Sequence, residues 1–174
     1  MNKCYFLFSL FLLNSCYSNR NVAEDYAVIE QLNNRMEYLY DEGQPGALAD
    51  FYHEDAIIIG RDDQLEGREA IGEYWESMSY PVSMKMETLV MEASLDRIFT
   101  SEPWQELKNK MSASIKKELS SAQESGTTVF QLARMKTAYE REDVTVFNKR
   151  TTVLLDWTVS ESGHFRIATT YLLD

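Results

Sequence analysis

The stretch from Val82 to Leu95 alternates apolar and polar residues, and the alternation changes phase part-way along. Val82, Met84 and Met86 hold one parity, while Leu89, Met91, Ala93 and Leu95 hold the other. Successive side chains of a strand point to opposite faces, so a one-residue slip carries the apolar set to the wrong side. One long strand keeps a single core face only if a bulge or sharp bend near Thr88 absorbs the slip. The chain is therefore expected to build a strongly curved sheet. Met84 and Met91 should both be buried despite their opposite parity.

The segments before this strand alternate between helical and extended patterns. Asn21 with Glu24 three residues later reads as a capping pair opening a helix. Ile29, Leu32, Met36 and Leu39 then recur at helical spacing, and Gly43 should end the run. Pro45-Gly46 begins a short second helix that reaches Phe51-Tyr52. Ala56-Ile57-Ile58-Ile59, ahead of Gly60, is too short for a helix and rich in β-branched residues, so it reads as a strand buried on both faces. A loop with Asp62-Asp63 and Gly67 leads to a third helix, with Ile71, Tyr74, Trp75 and Met78 on one face.

Beyond the curved strand, Ser101-Glu102-Pro103 opens a helix over about 102–125, closed by Gly126. Its stripe is Trp104, Leu107, Met111, Ile115, Leu119 and Ala122. Three strands follow, over about 129–140, 144–158 and 164–173. The last two are joined by the hairpin turn Ser160-Glu161-Ser162-Gly163.

The two cysteines, Cys4 and Cys16, both lie near the start, so the body of the chain has no disulfide, thiol nucleophile or Cys-ligated zinc. Lys3 precedes the apolar run from Cys4 to Leu13, the form of a secretory signal and too short to span a bilayer. Leu13-Asn14-Ser15-Cys16 resembles the lipobox of bacterial lipoproteins, with Asn14 where a smaller residue is usual. That resemblance implies a signal peptide over 1–15, lipidation of Cys16, a tether over 16–21 and one domain over 22–174. The expected location is the bacterial cell envelope, anchored by lipid in the outer membrane, with the domain in the periplasm or at the cell surface. The formal charge of −11, about −12 once Lys3 is removed, argues against nucleic acid as a partner.

The element order matches the nuclear transport factor 2-like superfamily. Leu48-Ala49-Asp50-Phe51-Tyr52-His53-Glu54-Asp55-Ala56 resembles its segment from helix two into the first strand. Leu65-Glu66-Gly67-Arg68-Glu69-Ala70-Ile71 resembles the start of its third helix, with Trp75 following as in SnoaL-like members. Arg150-Thr151-Thr152-Val153 and Gly163-His164-Phe165-Arg166-Ile167 resemble its closing hairpin. The resemblance implies an α+β cone: a curved mixed or antiparallel sheet wrapped around N-terminal helices and enclosing a pocket. The helix over about 102–125 would then be an amphipathic insertion. Its lysines, Lys108, Lys110, Lys116 and Lys117, would face water; alternatively the helix would lie on an anionic membrane or lid the cone mouth.

Ketosteroid isomerase-like members place an Asp base and an oxyanion-binding Tyr at positions that fall here on Gly60 and about Met36. Neither side chain can move a proton, so that chemistry does not carry over. Alternation puts Gln131, Ala133, Met135, Thr137 and Tyr139 on the inner face. Thr151, Val153, Leu155 and Trp157 join them, with Phe165, Ile167, Thr169 and Tyr171 from the last strand; Lys149 is the one charged intruder. Asp156 and Glu140 fall on the opposite face. His53-Glu54-Asp55 reads as a polar turn rather than a metal cluster, and Asp62-Asp63 as a solvated turn. The expectation is a non-catalytic module without metal or cofactor. It would bind a small apolar ligand near Tyr52, Trp75, Met135, Tyr139 and Tyr171, or a partner protein. The alternatives are a SnoaL-like lyase, isomerase or hydrolase with another acid–base set, and a homodimer paired through its outer sheet face.

Overall fold

A computed structural model of the chain describes residues 22–61, 63–78, 80–122, 128–140 and 146–173. The expected signal peptide, Cys16 and its tether, Asp62 and Gly126 lie outside these residues. Helix α1 (Val22–Asp41) is followed by a 3-10 turn (Pro45–Phe51), strand β1 (Tyr52–Ile59), the short β2 (Gln64–Glu66) and helix α2 (Arg68–Glu76). Strand β3 (Pro81–Glu92) leads into α3 (Leu95–Thr100), α4 (Glu102–Leu107) and α5 (Ala113–Ser121). Strands β4 (Thr128–Glu140), β5 (Val146–Val159) and β6 (Phe165–Leu172) complete the chain. The six strands form one mixed sheet in the order β2-β1-β6-β5-β4-β3, antiparallel except where β1 runs parallel to β6.

Local chemistry accounts for most boundaries. Gly43 adopts φ +76°, a left-handed conformation that stops α1. Gly163, at φ +80°, turns β5 into β6, and its N–H donates to Ser160 O at 2.9 Å. The three-residue β2 was expected to be loop; it pairs with Ile57–Ile59, where Leu65 covers part of the strand. Three residues are too few to show an alternation.

The phase slip in β3 is a bulge. Thr88 pairs with Ala133 and Val90 with Leu132, which leaves Leu89 as the extra residue. Met84 and Met91 are 0% and 9% exposed, so both parities reach the core. The strand ends at Glu92, short of the expected Leu95, because Ser94 accepts a hydrogen bond from Asp96 N at 3.2 Å and caps α3. Val82, expected on the apolar face, is exposed.

The expected helix over about 102–125 is two short helices, α4 and α5, and α3 precedes it where the end of the curved strand was expected. Ser112 interrupts the expected single helix: its Oγ accepts from Ile115 N at 3.2 Å, which starts α5 as a new helix. The stripe still works as read, since Trp104, Met111, Ile115 and Leu119 are all buried. They pack with Phe130, Leu132, Leu154, Tyr171 and Leu173 on the convex face of the sheet. The concave face packs against α1, α2 and the 3-10 turn, with Ile29, Met36, Ile71 and Trp75 meeting Met84, Val153, Trp157 and Ile167. The sheet is thus covered by helices on both sides, and β1 shows it: Ile58 joins the concave core while Ile59 packs against the convex one.

The β3 edge is covered by side chains. Asp41 Oδ1 accepts from Met84 N at 2.8 Å, and Glu37 Oε1, one turn earlier, accepts from Met86 N at 2.6 Å. These N–H groups point away from β4 and would otherwise offer a template for another strand. Lys85 Nζ neutralises Glu37 at 2.7 Å. Replacing Glu37 by alanine is expected to lower stability by about 1.5–3 kcal/mol and to promote concentration-dependent association. Urea unfolding and light scattering would measure the two effects. An unchanged midpoint with no association would show that the edge needs no cover.

Candidate functional site

Inside the cone the side chains close around a void of about 20 Å³. Its apolar wall comes from Met36 on α1, Met86 on β3 and Met135 on β4, with Ile58, Val153, Leu155 and Leu172. Its polar side is built by Tyr52, Tyr74, Trp75 and Thr170. No carboxylate, histidine, lysine or arginine lines it among the described residues.

Tyr52 starts β1 and points inward; the 3-10 turn before it is tied to the strand by the Tyr52 N–H, which donates to Ala49 O. Arg68 holds the same corner, its Nε donating to Tyr52 O at 3.0 Å. Burial pushes the Tyr52 hydroxyl up to about 12, although hydrogen bonding from the Thr170 and Trp75 side chains pulls in the opposite direction. Those contacts are loose, and Trp75 Nε1 and Thr170 Oγ1 have no other partner among the described residues. Trp75 is wedged edge-on between Tyr40 and Tyr74, with ring centroids 6.4 and 5.4 Å away. Burial raises Tyr40 to about 12 and also raises Tyr74.

A second polar group in the cone is fully paired. Trp157 Nε1 donates to Gln131 Oε1 at 2.9 Å, and Gln131 Nε2 donates to Thr88 Oγ1 at 2.7 Å. Gln131 and Trp157 are both 0% exposed, so the network spans three strands away from solvent.

Of the five residues singled out in the sequence, Tyr52, Trp75 and Met135 come together at the void. Tyr139 stacks on Phe147 at 5.7 Å and does not line it. Tyr171 is on the wrong side for the expected set. β6 carries a bulge at Ala168, since Ile167 pairs with Trp157 and Thr169 with Asp156. Phe165 and Ile167 therefore face the concave core, whereas Tyr171 packs under the insertion. Thr170 takes the inward place instead. Thr170, Met36 and Met86 were missed as lining residues, although Met36 sits where the superfamily's oxyanion tyrosine falls. Gly60 does not line the void; a Cβ added there would first meet Asp63 O at 3.3 Å and then Leu172 Cδ1 at 3.8 Å.

The remaining candidates are elsewhere. His53 Nε2 shares a 2.7 Å hydrogen bond with Thr158 Oγ1. Among the described residues no cluster of three His, Cys, Asp or Glu could hold a metal. A wide depression of about 800 Å³ beside the start of α2 is open to solvent and lined by Glu54, Glu66, Glu69 and Glu73 with Arg68. Its carboxylates repel one another and any anion, and Arg68 is already committed to Tyr52.

Residues 21–96 match the SnoaL-like domain family. This is the part of the chain that contributes α1, β1, α2 and β3 to the cone. The chain has the nuclear transport factor 2-like cone fold. Solved structures extend the likeness beyond the matched residues to the whole fold. A ketosteroid isomerase-like protein from Erwinia carotovora atroseptica superposes with a TM-score of 0.56 at 14% identity, covering 85% of this chain and 94% of that one. ActVI-ORFA from Streptomyces coelicolor gives 0.54 at 9% identity, covering 86% of this chain and 96% of that one. Aln2 from another Streptomyces gives 0.54 at 14% identity, covering 86% and 89%. At such identities the likeness is one of fold. No curated protein matches the chain.

Proposed function

We propose that this is a lipid-anchored envelope protein whose nuclear transport factor 2-like domain binds a small, largely apolar ligand without transforming it. The void in the cone carries this reading. Three methionines from three different elements close it, and their unbranched, polarizable side chains can repack around a guest. The titratable groups on its wall are tyrosines, and burial pushes Tyr52 up to about 12 and Tyr74 upward as well, so both stay neutral and are poor bases. Asp156 of β5 belongs to the convex side, where it perturbs Tyr171.

Native mass spectrometry of the mature protein from its own host tests the binding reading. A retained small molecule is expected. Turnover of a ketosteroid-like substrate that disappears on Asp156→Asn would overturn it.

The anchoring reading rests on the lipobox-like Leu13-Asn14-Ser15-Cys16, and the acidic chain would reach the membrane through that lipid. Metabolic labelling with a fatty-acid probe should mark the wild type and leave the Cys16→Ser protein unlabelled. Continued acylation of that variant would sink the assignment.

A further inference from the structure

We infer that the uncovered half of the convex sheet face docks on an anionic phospholipid bilayer, the membrane that holds the proposed anchor. This rests on the anchoring reading and adds which side of the domain meets the lipid. The inserted helices cover only one end of that face, over Phe130, Leu132 and Leu154. Beyond them the register sets Lys85 opposite Lys136 and Lys136 opposite Arg150, three cations in one row across β3, β4 and β5. Neighbouring strands lie about 4.8 Å apart, so the row spans roughly 10 Å. All three side chains are exposed. Two residues along the strands, Arg134 meets Glu87 at 3.1 Å and is compensated. Lys85 is shared with Glu37 at the sheet edge, whereas Lys136 and Arg150 meet no carboxylate among the described residues.

Like charges directly opposite one another on a sheet cost stability, yet the row stands in a chain of formal charge −11. The charge is divided by side. Residues 22–80, which supply α1, α2 and β1, hold 15 Asp and Glu against 3 Arg; residues 81–174 hold 13 against 12 Lys and Arg. The helical side therefore repels an anionic surface while the row attracts one, and the two together fix an orientation. Val82 and Val146, 45% and 47% exposed, lie a few residues from the row and offer apolar contact at headgroup depth. A second copy fits this face badly, because two-fold pairing sets the same patch against itself and brings cations toward cations. A bilayer has the opposite charge, and a lipid at Cys16 would keep it within reach. Each Lys or Arg close to such a surface is worth roughly fivefold in partition.

No cysteine follows Cys16, so a single introduced cysteine reports position. Asn148→Cys, exposed beside Arg150, and Glu73→Cys, exposed on α2, each carry a fluorophore in the acylated mature protein held in vesicles. The quencher is a lipid with a nitroxide headgroup. With about a third phosphatidylglycerol in phosphatidylcholine, the label at 148 should be quenched about threefold more than in phosphatidylcholine alone. High salt should remove the difference, and the label at 73 should show none. Lys136→Glu places a carboxylate between Lys85 and Arg150, so it should melt no lower than the wild type while abolishing the preference. Equal quenching in the two vesicles, a preference that survives Lys136→Glu, or one carried by the label at 73 would overturn the inference and leave the anchor. A dimer in detergent that shields position 148 from a water-soluble quencher would give the face to a second copy and overturn it as well. A mature protein without an acyl chain would sink the anchoring reading alone if position 148 is still quenched in anionic vesicles, and both readings if it is not.

Discussion

Replacing Trp157 by alanine is expected to remove about 3–5 kcal/mol of stability, against the roughly 5–15 kcal/mol that an ordinary domain possesses. Trp157 is fully buried and among the largest side chains in the concave core. Its loss opens a cavity and strands Gln131 Oε1, which accepts the indole N–H at 2.9 Å. Trp157→Phe separates these two effects. It keeps most of the ring volume and deletes the donor, so it should cost less than alanine while still leaving the Gln131 carbonyl unpaired. Urea denaturation of the three proteins measures both steps. A Trp157→Ala midpoint close to that of the wild type would mean that this core collapses around the gap.

The second large effect is a gain. Asp156 projects to the convex side, its Oδ1 is buried without a partner, and burial pushes its carboxyl from 3.8 up to about 6. Below pH 3.8 the group is protonated in both folded and unfolded chains and contributes no penalty. Between there and about pH 6 the unfolded chain ionises first, so the folded state loses stability as pH rises, and the full cost persists above. Asp156→Asn is therefore expected to stabilise the protein at pH 8 by up to about 3 kcal/mol. The gain should fade to nothing near pH 4. Equal gains at both pH values would show that ionisation is not the cause. Tyr171 responds to the same carboxylate: burial, then the charges of Asp156 and Glu118, push its hydroxyl up to about 12.

Much of this architecture was readable where the residues leave one answer. Ile29, Met36 and Leu39 fit a helix face and nothing else, and the methionines of β3 announce their bulge because apolar side chains on both parities cannot all face water. The bulge in β6 gave no such warning. It falls at Ala168, between Ile167 and the pair Thr169-Thr170, and alanine and threonine are tolerated on either face. Tyr171 was therefore carried to the wrong side and Thr170 overlooked. In the insertion, the stripe from Trp104 to Leu119 was correct, but stripes do not record breaks. The break is set by Ser112, a residue that favours caps over helix interiors for reasons local to its own side chain. At the void, Tyr52, Trp75 and Met135 were visible as inward-facing residues. Met86 shares the parity of Met84, so its face was readable; what the alternation could not show was that it meets Met36 of α1 and Met135 of β4 at one point.

The parallel pairing of β1 with β6 also sets the order of assembly. Ile57, Ile58 and Ile59 must wait for Thr169, Thr170 and Tyr171, more than a hundred residues later in the chain. Closing so long a loop is slow, because its entropy is lost before the pairing gives anything back. Synthesis and any passage across a membrane deliver the triple-isoleucine strand long before its partner emerges. During that interval its isoleucines are a short β-prone run with β2 on one edge and the other edge open. The last strand, not the first helices, therefore decides when the sheet can close.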